Sequence, residues 1–318
     1  YEKCTAMLAG LLHDIGHGPF SHAFESVSSC RHETFTQRIL LEDSEIHQVL
    51  ADADPRLPQD IAAIIAYRHP NDLLNQLDAD RMDYLLRDAY FTGTSYGTFD
   101  MERMLRTIRV RGGRMAVKES GIHSVEDYIM ARYHMYWQVY LHPVARSYET
   151  IISMIFRRMK EQWQKDADAF SRLEMFVPFL QDGPAGIEDL YVLDESAALY
   201  GFSLLEHGDD PVLRDLASRA RSRRLFDYVE YEDEAQLEKI RRKAQESGYD
   251  PRYYVVKDHV VQKPYSPYQG RGGTHVIWIV SEDGSLHELS EKSTIVRALT
   301  EAEFSGQELI YFPKEIGI

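Results

Sequence analysis

Three imidazoles and a carboxylate fall within ten residues in the run Leu11-Leu12-His13-Asp14-Ile15-Gly16-His17-Gly18-Pro19-Phe20-Ser21-His22. His13 and Asp14, side by side, offer a nitrogen and an oxygen donor to a divalent cation and its bound water. His17 stands one helical turn on, and His22 follows the Gly-Pro break. Histidines at a helix C-terminus also suit its carbonyls and dipole. A core helix, however, has no need of adjacent carboxylate and imidazole groups at its end, so a metal site is the favoured reading.

A second cluster lies about 65 residues downstream, in Asp80-Arg81-Met82-Asp83-Tyr84-Leu85-Leu86-Arg87-Asp88. On a helix Asp80, Tyr84 and Asp88 share a face, while Met82, Leu85 and Leu86 pack elsewhere. The same spacing suits a solvated face with local ion pairs such as Asp83 with Arg87. In a third stripe Arg132, Tyr136 and Tyr140 share a face, a guanidinium with two phenols that can hold phosphate and flank a base or sugar. Aromatic stripes also serve as core. His32-Glu33 is spaced to fold back over the first motif, or to be structural. Arg219, Arg221, Arg223 and Arg224 form a basic knot, suited to solvent or to phosphate.

The elements that carry these residues read as helical up to about residue 225. Apolar residues recur at three and four in Ala6, Leu8, Leu11, Leu12 and Ile15, and again in Leu73, Leu74, Leu77, Leu85, Leu86 and Ala89. One interruption, Thr107 to Val117 around Gly112-Gly113, predicts a hairpin. A long helix is expected from Ser124 to Leu141, with a restart at His142-Pro143, since Pro is tolerated in a first turn. The expected fold is mainly α: a helical domain over 1–224 and a small α+β lobe over 225–318. In that lobe strands at Leu225 to Tyr231, Tyr253 to Val261, His275 to Val280 and Leu309 to Phe312 alternate with helices at Glu232 to Ser247 and Ser293 to Leu299. The order β-α-β-β-α-β predicts a split sheet of the ferredoxin-like kind. The stretch 263–273 reads as a loop.

The 318 residues suffice for a large core and a second unit. Lys plus Arg total 36 against 51 Asp plus Glu, a net charge of -15 that excludes a general nucleic-acid-binding surface. A polyanionic substrate would need a metal or a local basic pocket. Two cysteines, Cys4 and Cys30, are too few for a disulfide framework and fit a reducing, cytoplasmic setting. No apolar stretch reaches the ~20 residues of a membrane span. Beginning at Tyr1 inside a helical pattern and without an initiator Met, the sequence is expected to be a fragment or to have lost its N-terminus.

With His13-Asp14, Gly16-His17-Gly18-Pro19-Phe20-Ser21-His22 and Asp80-Arg81-Met82-Asp83-Tyr84, the chain resembles the HD-domain deoxynucleoside triphosphate triphosphohydrolases over about residues 5 to 225. The resemblance is to the branch that includes the sterile-alpha-motif HD-domain enzyme and its bacterial relatives. It implies an HD-domain helical bundle that releases whole triphosphate from a dNTP. His13, Asp14 and Asp80 would be metal ligands, for Mg, Mn, Fe or Zn. His17, Glu25 and His32 would form the catalytic group, with His22 beside the α-phosphate. Arg81 and Arg132 match phosphate-contacting positions, and Tyr84, Asp88 and Tyr140 match those that frame the deoxyribose. Tyr136 stands where mammalian relatives have a histidine. A tyrosine beneath C2' would exclude a ribose hydroxyl.

The family also uses an upstream His ligand, and none of the twelve residues before His13 is a histidine. Arg223 and Arg224 match a segment that binds an activating nucleotide such as dGTP at a subunit junction, although Asp227 replaces a lysine there. Glu25 replaces an aspartate and keeps the carboxylate. A homotetramer is implied. Two other readings stay open: an HD phosphohydrolase acting on another nucleotide phosphate ester, and a nucleotide-sensing module with an incomplete metal site.

Overall fold

The computed structural model describes residues 1–25, 27–28, 31–42, 44–66, 77, 79–111, 114–260, 276–301 and 306–318. Cys30, Leu73, Leu74, the Gly112-Gly113 turn and the loop 263–273 lie outside these residues. The chain is mainly α-helical, as its periodicity predicts. It divides into two compact units, one of Tyr1–Ala62, Pro143–His259 and Gln307–Ile318, the other of Ala63–His142 and Val260–Gly306.

The first unit is built on the helix Pro143–Trp163, which starts on Pro143 as expected. Its buried residues Ile151, Ile152, Ile155, Phe156 and Met159 recur at three and four, the spacing that lines one helix face. They share a core with Phe24, Phe35, Phe179, Phe202 and Leu216. That core seats the short helix His22–Glu25, whose Phe24 ring meets Phe156 at 5.4 Å and Phe179 at 4.9 Å. Beside it the helix His32–Leu41 buries Phe35, Thr36, Ile39 and Leu40.

The strands are β1 Ile108–Arg111, β2 Arg114–Lys118, β3 Asp227–Glu230, β4 Val256–Val260, β5 Trp278–Val280, β6 Leu286–Glu288 and β7 Gln307–Phe312. In the first unit they form a sheet of order β3-β7-β4, with Tyr228 opposite Tyr311 and Val229 opposite Ile310 in the antiparallel pair β3 and β7. In the second unit the order is β1-β2-β5-β6. The hairpin of β1 and β2 forms where the sequence places it, Arg111 facing Arg114. β2 then pairs in parallel with β5, Val117 opposite Ile279.

This arrangement corrects the expectation of one ferredoxin-like lobe over 225–318. Its strands are shared between two sheets, and the compact units do not part at residue 224. The reason is in the side chains: Ile277 and Ile279 complete an apolar cluster with Leu85, Val117, Val125 and Tyr128, all residues of the second unit. The strand expected at Tyr253 to Val261 is also shorter. Asp250 caps a helical turn Pro251–Tyr254 before β4, accepting a hydrogen bond from the Arg252 N–H.

The long helix of the second unit, Ile122–Met135, ends in a π-helical turn, Tyr136–Tyr140, closed by Leu141 N–H donating to the Tyr136 carbonyl at 2.7 Å. Among the described residues no helix is long and apolar enough to cross a membrane.

Candidate active site

In the first unit the chain turns back sharply after the helix Glu2–Leu12, and a buried threonine holds the turn. Thr36 Oγ1 donates to the His13 carbonyl at 3.0 Å and accepts from Gly16 N–H at 3.0 Å. Gly16 is required by closeness: a Cβ there would lie 2.2 Å from the His32 carbonyl oxygen and 2.4 Å from the Thr36 nitrogen. Thus the helix His32–Leu41 lies directly against the His13–His17 turn. From sequence Gly16 belongs to the motif without a packing role, and Thr36 is not singled out. A polar Thr36 beside Phe35, Ile39 and Leu40 was the available signal.

The result is one cluster of six side chains. His13 Nε2 lies 3.2 Å from Asp14 Oδ2, and His17 Nε2 lies 3.7 Å from Asp14 Oδ1. The His17 ring stacks on His32 with centroids 3.8 Å apart, and His22 stands edge-on to both, at 5.4 and 5.5 Å. Glu25 accepts hydrogen bonds from the His32 ring and, at 3.2 Å, from the His32 backbone N–H, and faces His22 at 3.5 Å. Every expected residue between His13 and His32 is therefore brought together.

The electrostatics follow from these contacts. The hydrogen bond with His13 holds the Asp14 carboxyl below its ordinary range, against the opposing effect of burial. Burial and the neighbouring His32 lower the His17 pKa, favouring the neutral ring. Burial pushes Glu25 upward, but its hydrogen bonds with His32 and His22 win and hold it at about 2.

The donor set fits a divalent cation. His13 Nδ1 lies 2.9 Å from the Gly10 carbonyl, so that nitrogen carries the proton. With the ring protonated, Nε2 donates to Asp14, the contact that holds its carboxyl down; in the neutral ring Nε2 instead presents a lone pair to that carboxylate, an opposition that a cation held by both would relieve. A backbone carbonyl on the far nitrogen is also the usual way a ligating histidine is oriented. Asp14, His17 and His32 offer atoms within 4.8 Å of one another, as do His22, Glu25 and His32. His17 and His32, expected in the catalytic group, thus also lie where they could act as donors.

In the second unit Asp80, Arg81, Tyr84 and Asp88 ride on the helix Ala79–Thr92. Asp80, Tyr84 and Asp88 are half-buried, whereas Asp83 and Arg87 are exposed and paired at 2.6 Å. The solvated ion pair thus lies on one face of the helix, and Asp80, Tyr84 and Asp88 share another. Tyr140 donates to Asp88 at 2.5 Å, and its ring stands edge-on to Tyr84 and Tyr136 at 6.2 and 5.2 Å. Arg132 lies 5.6 Å from the Tyr136 ring centre. Burial raises the pKa of Tyr84 and Tyr140, keeping both phenols protonated, and the Asp88 carboxylate adds to this at Tyr140. The π turn rotates Tyr140 relative to a regular helix, and such turns recur at functional sites.

The basic knot divides. Arg219 is fully buried, bonded to Asp215 at 2.7 Å, Glu315 at 2.9 Å and Tyr249 at 3.2 Å, and so is structural. Arg224 pairs with Asp215 at 2.6 Å, and Arg223 caps the helix Pro211–Ser222 in the left-handed conformation.

The chain is similar to known proteins over most of its length. The HD domain matches residues 2–88, and the HD associated region matches residues 99–177. The uncharacterized protein YwfO of Bacillus subtilis is 43% identical over 99% of this chain and 75% of its own length. A protein of Dictyostelium discoideum named as a deoxynucleoside triphosphate triphosphohydrolase SAMHD1 homolog is 27% identical over 72% of this chain and 45% of its own. The crystal structure of a phosphohydrolase from Bacteroides thetaiotaomicron superposes with a TM-score of 0.80 at 24% identity, over 98% of this chain and 80% of that one, and so shares the fold. With the histidine cluster on the matched segment and a relative of this similarity across nearly its whole length, the chain belongs to the HD-domain phosphohydrolase family.

Proposed function

We propose that the protein hydrolyses deoxynucleoside triphosphates to deoxynucleoside and inorganic triphosphate, with a divalent cation of the Mg, Mn, Fe or Zn type. The observation that carries this reading is the tie of His13, Asp14, His17, His22, Glu25 and His32 into one cluster on the HD segment. His13 and Asp14 hold the cation, and the resemblance adds Asp80. When bound, the cation polarises a phosphoryl oxygen and lowers the pKa of a water. His17, kept neutral by burial, moves a proton at its free nitrogen, and Glu25 orients His32 and His22 toward the phosphate. Arg81 and Arg132 offset the substrate's charge. Tyr84, Tyr140 and Asp88, held by one hydrogen bond and edge-on rings, form a stiff wall against which a 2'-hydroxyl would clash.

By the same resemblance the active form is a homotetramer, and a dGTP-like activator contacts Arg223 and Arg224; the two cysteines suit a cytoplasmic setting. Anion-exchange separation of a dNTP digest tests the reaction. Nucleoside and triphosphate are expected; monophosphate and pyrophosphate would overturn the bond assignment. His13→Ala and Asp80→Ala should each lose turnover and bound metal. A nucleotide panel in which only another phosphate ester is cleaved would replace the substrate while keeping the site.

A further inference from the structure

We propose that Ser21 is a positioning residue for His17, its hydroxyl aimed at the imidazole by a left-handed backbone turn. This rests on His17 as the proton-transfer group of the proposed reaction. Among the described residues three that are not glycine have positive φ: Phe20 at 60°, Ser21 at 52° and Arg223 at 53°. Arg223 sits at a helix C-terminus, where that conformation is common. Phe20 and Ser21 are consecutive and precede a helix instead, so their strain needs another cause.

The core keeps the strain in place. The Phe20 ring stacks on Phe202 with centroids 5.5 Å apart and 7° between planes, and it borders Tyr148 and Phe156 at 6.4 Å. Gly18 admits the turn, since a Cβ there would lie 2.3 Å from the Phe24 ring. What the conformation accomplishes is the contact of Ser21 Oγ with His17 Nδ1 at 3.1 Å. His17 is then held on its face by His32 and at Nδ1 by Ser21, which leaves Nε2 presented on the side of Asp14. A hydroxyl both donates and accepts, so it can hold Nδ1 in either tautomer of the ring.

Three variants separate the hydroxyl from the backbone. Ser21→Ala removes the hydroxyl and keeps the strain, Ser21→Gly removes both, and Ser21→Asn offers an amide on a residue that tolerates positive φ. Ala and Gly are both expected to lower kcat about tenfold or more, with KM and metal content within twofold of the parent. Gly should melt no lower than the parent, and Asn should recover part of kcat. A Gly variant with parental kcat would overturn the proposal, because the turn would then serve the backbone alone. The His17 imidazole nitrogen shifts of the zinc-loaded protein, assigned with His17→Gln, decide the contact without turnover. A change at Nδ1 in Ser21→Gly supports the tie, and no change overturns it. If the parent protein cleaves no dNTP, the proposed reaction fails while this second readout still decides the contact.

Discussion

Glu25 is the point where His22 and His32 converge, and its ionisation ties the site to the stability of the fold. Its carboxylate accepts from the His32 ring and backbone and faces His22, and these contacts outweigh burial to hold it at about 2. A carboxyl whose pKa is lower folded than unfolded contributes stability above its unfolded pKa and loses it as pH falls. Here the contribution is complete above about pH 4.5, and it drains away between there and about pH 2. Glu25→Gln keeps the shape and removes the titration. In urea unfolding the parent should exceed the variant by on the order of 2–3 kcal/mol at pH 7, with the gap closing toward pH 2. A gap that stays constant with pH would show that Glu25 does not carry this linkage. Arg219 teaches the same lesson in reverse: its type suggested solvent or phosphate, while Asp215, Glu315 and Tyr249 make it a buried strut.

At the scale of elements, the approach of the helix His32–Leu41 to the His13–His17 turn sets the geometry, and glycine sets the approach. In Gly16→Ala the new methyl meets backbone at 2.2 and 2.4 Å, so one element must move. A loss of about 1–3 kcal/mol in stability is expected, together with most of the turnover. Gly10→Ala is the internal control. It lies on the exposed side of the helix Glu2–Leu12 with nothing within 4 Å, and it should gain up to ~1 kcal/mol with activity intact. Thermal melts and turnover of the two variants check both, and equal effects would refute the packing argument. The sequence made much of this legible, because local spacing carries it. His13 to His22, the i, i+4, i+8 face of Asp80, Tyr84 and Asp88, the hairpin and the restart at Pro143 all depend on near neighbours. Thr36 and the packing role of Gly16 escaped because both come from a contact between segments some twenty residues apart. The split of the last strands between two sheets escaped for the same reason: β2 pairs with β5 across about 160 residues, and no local pattern announces a partner so distant.

At the scale of the whole molecule, charge is the governing constraint. A chain of net charge -15 repels a triphosphate, and an unscreened cluster of Asp14 and Glu25 beside it would add to the repulsion. A divalent cation held, as proposed, at His13 and Asp14 would relieve both conflicts, and because folding brings His32 within reach of Asp14 and His17, it would also bind the native state in preference to the unfolded one. Stability must then rise with free metal. At a hundredfold excess over Kd the gain is about 2.7 kcal/mol, worth several degrees in Tm for a chain of this size. Treatment with EDTA should lower Tm by that order and abolish turnover, and restoring a single metal should recover both along one concentration curve. In His13→Ala the Tm should no longer respond to metal. A parental Tm indifferent to chelation, with turnover retained, would refute a resident cation at His13 and Asp14.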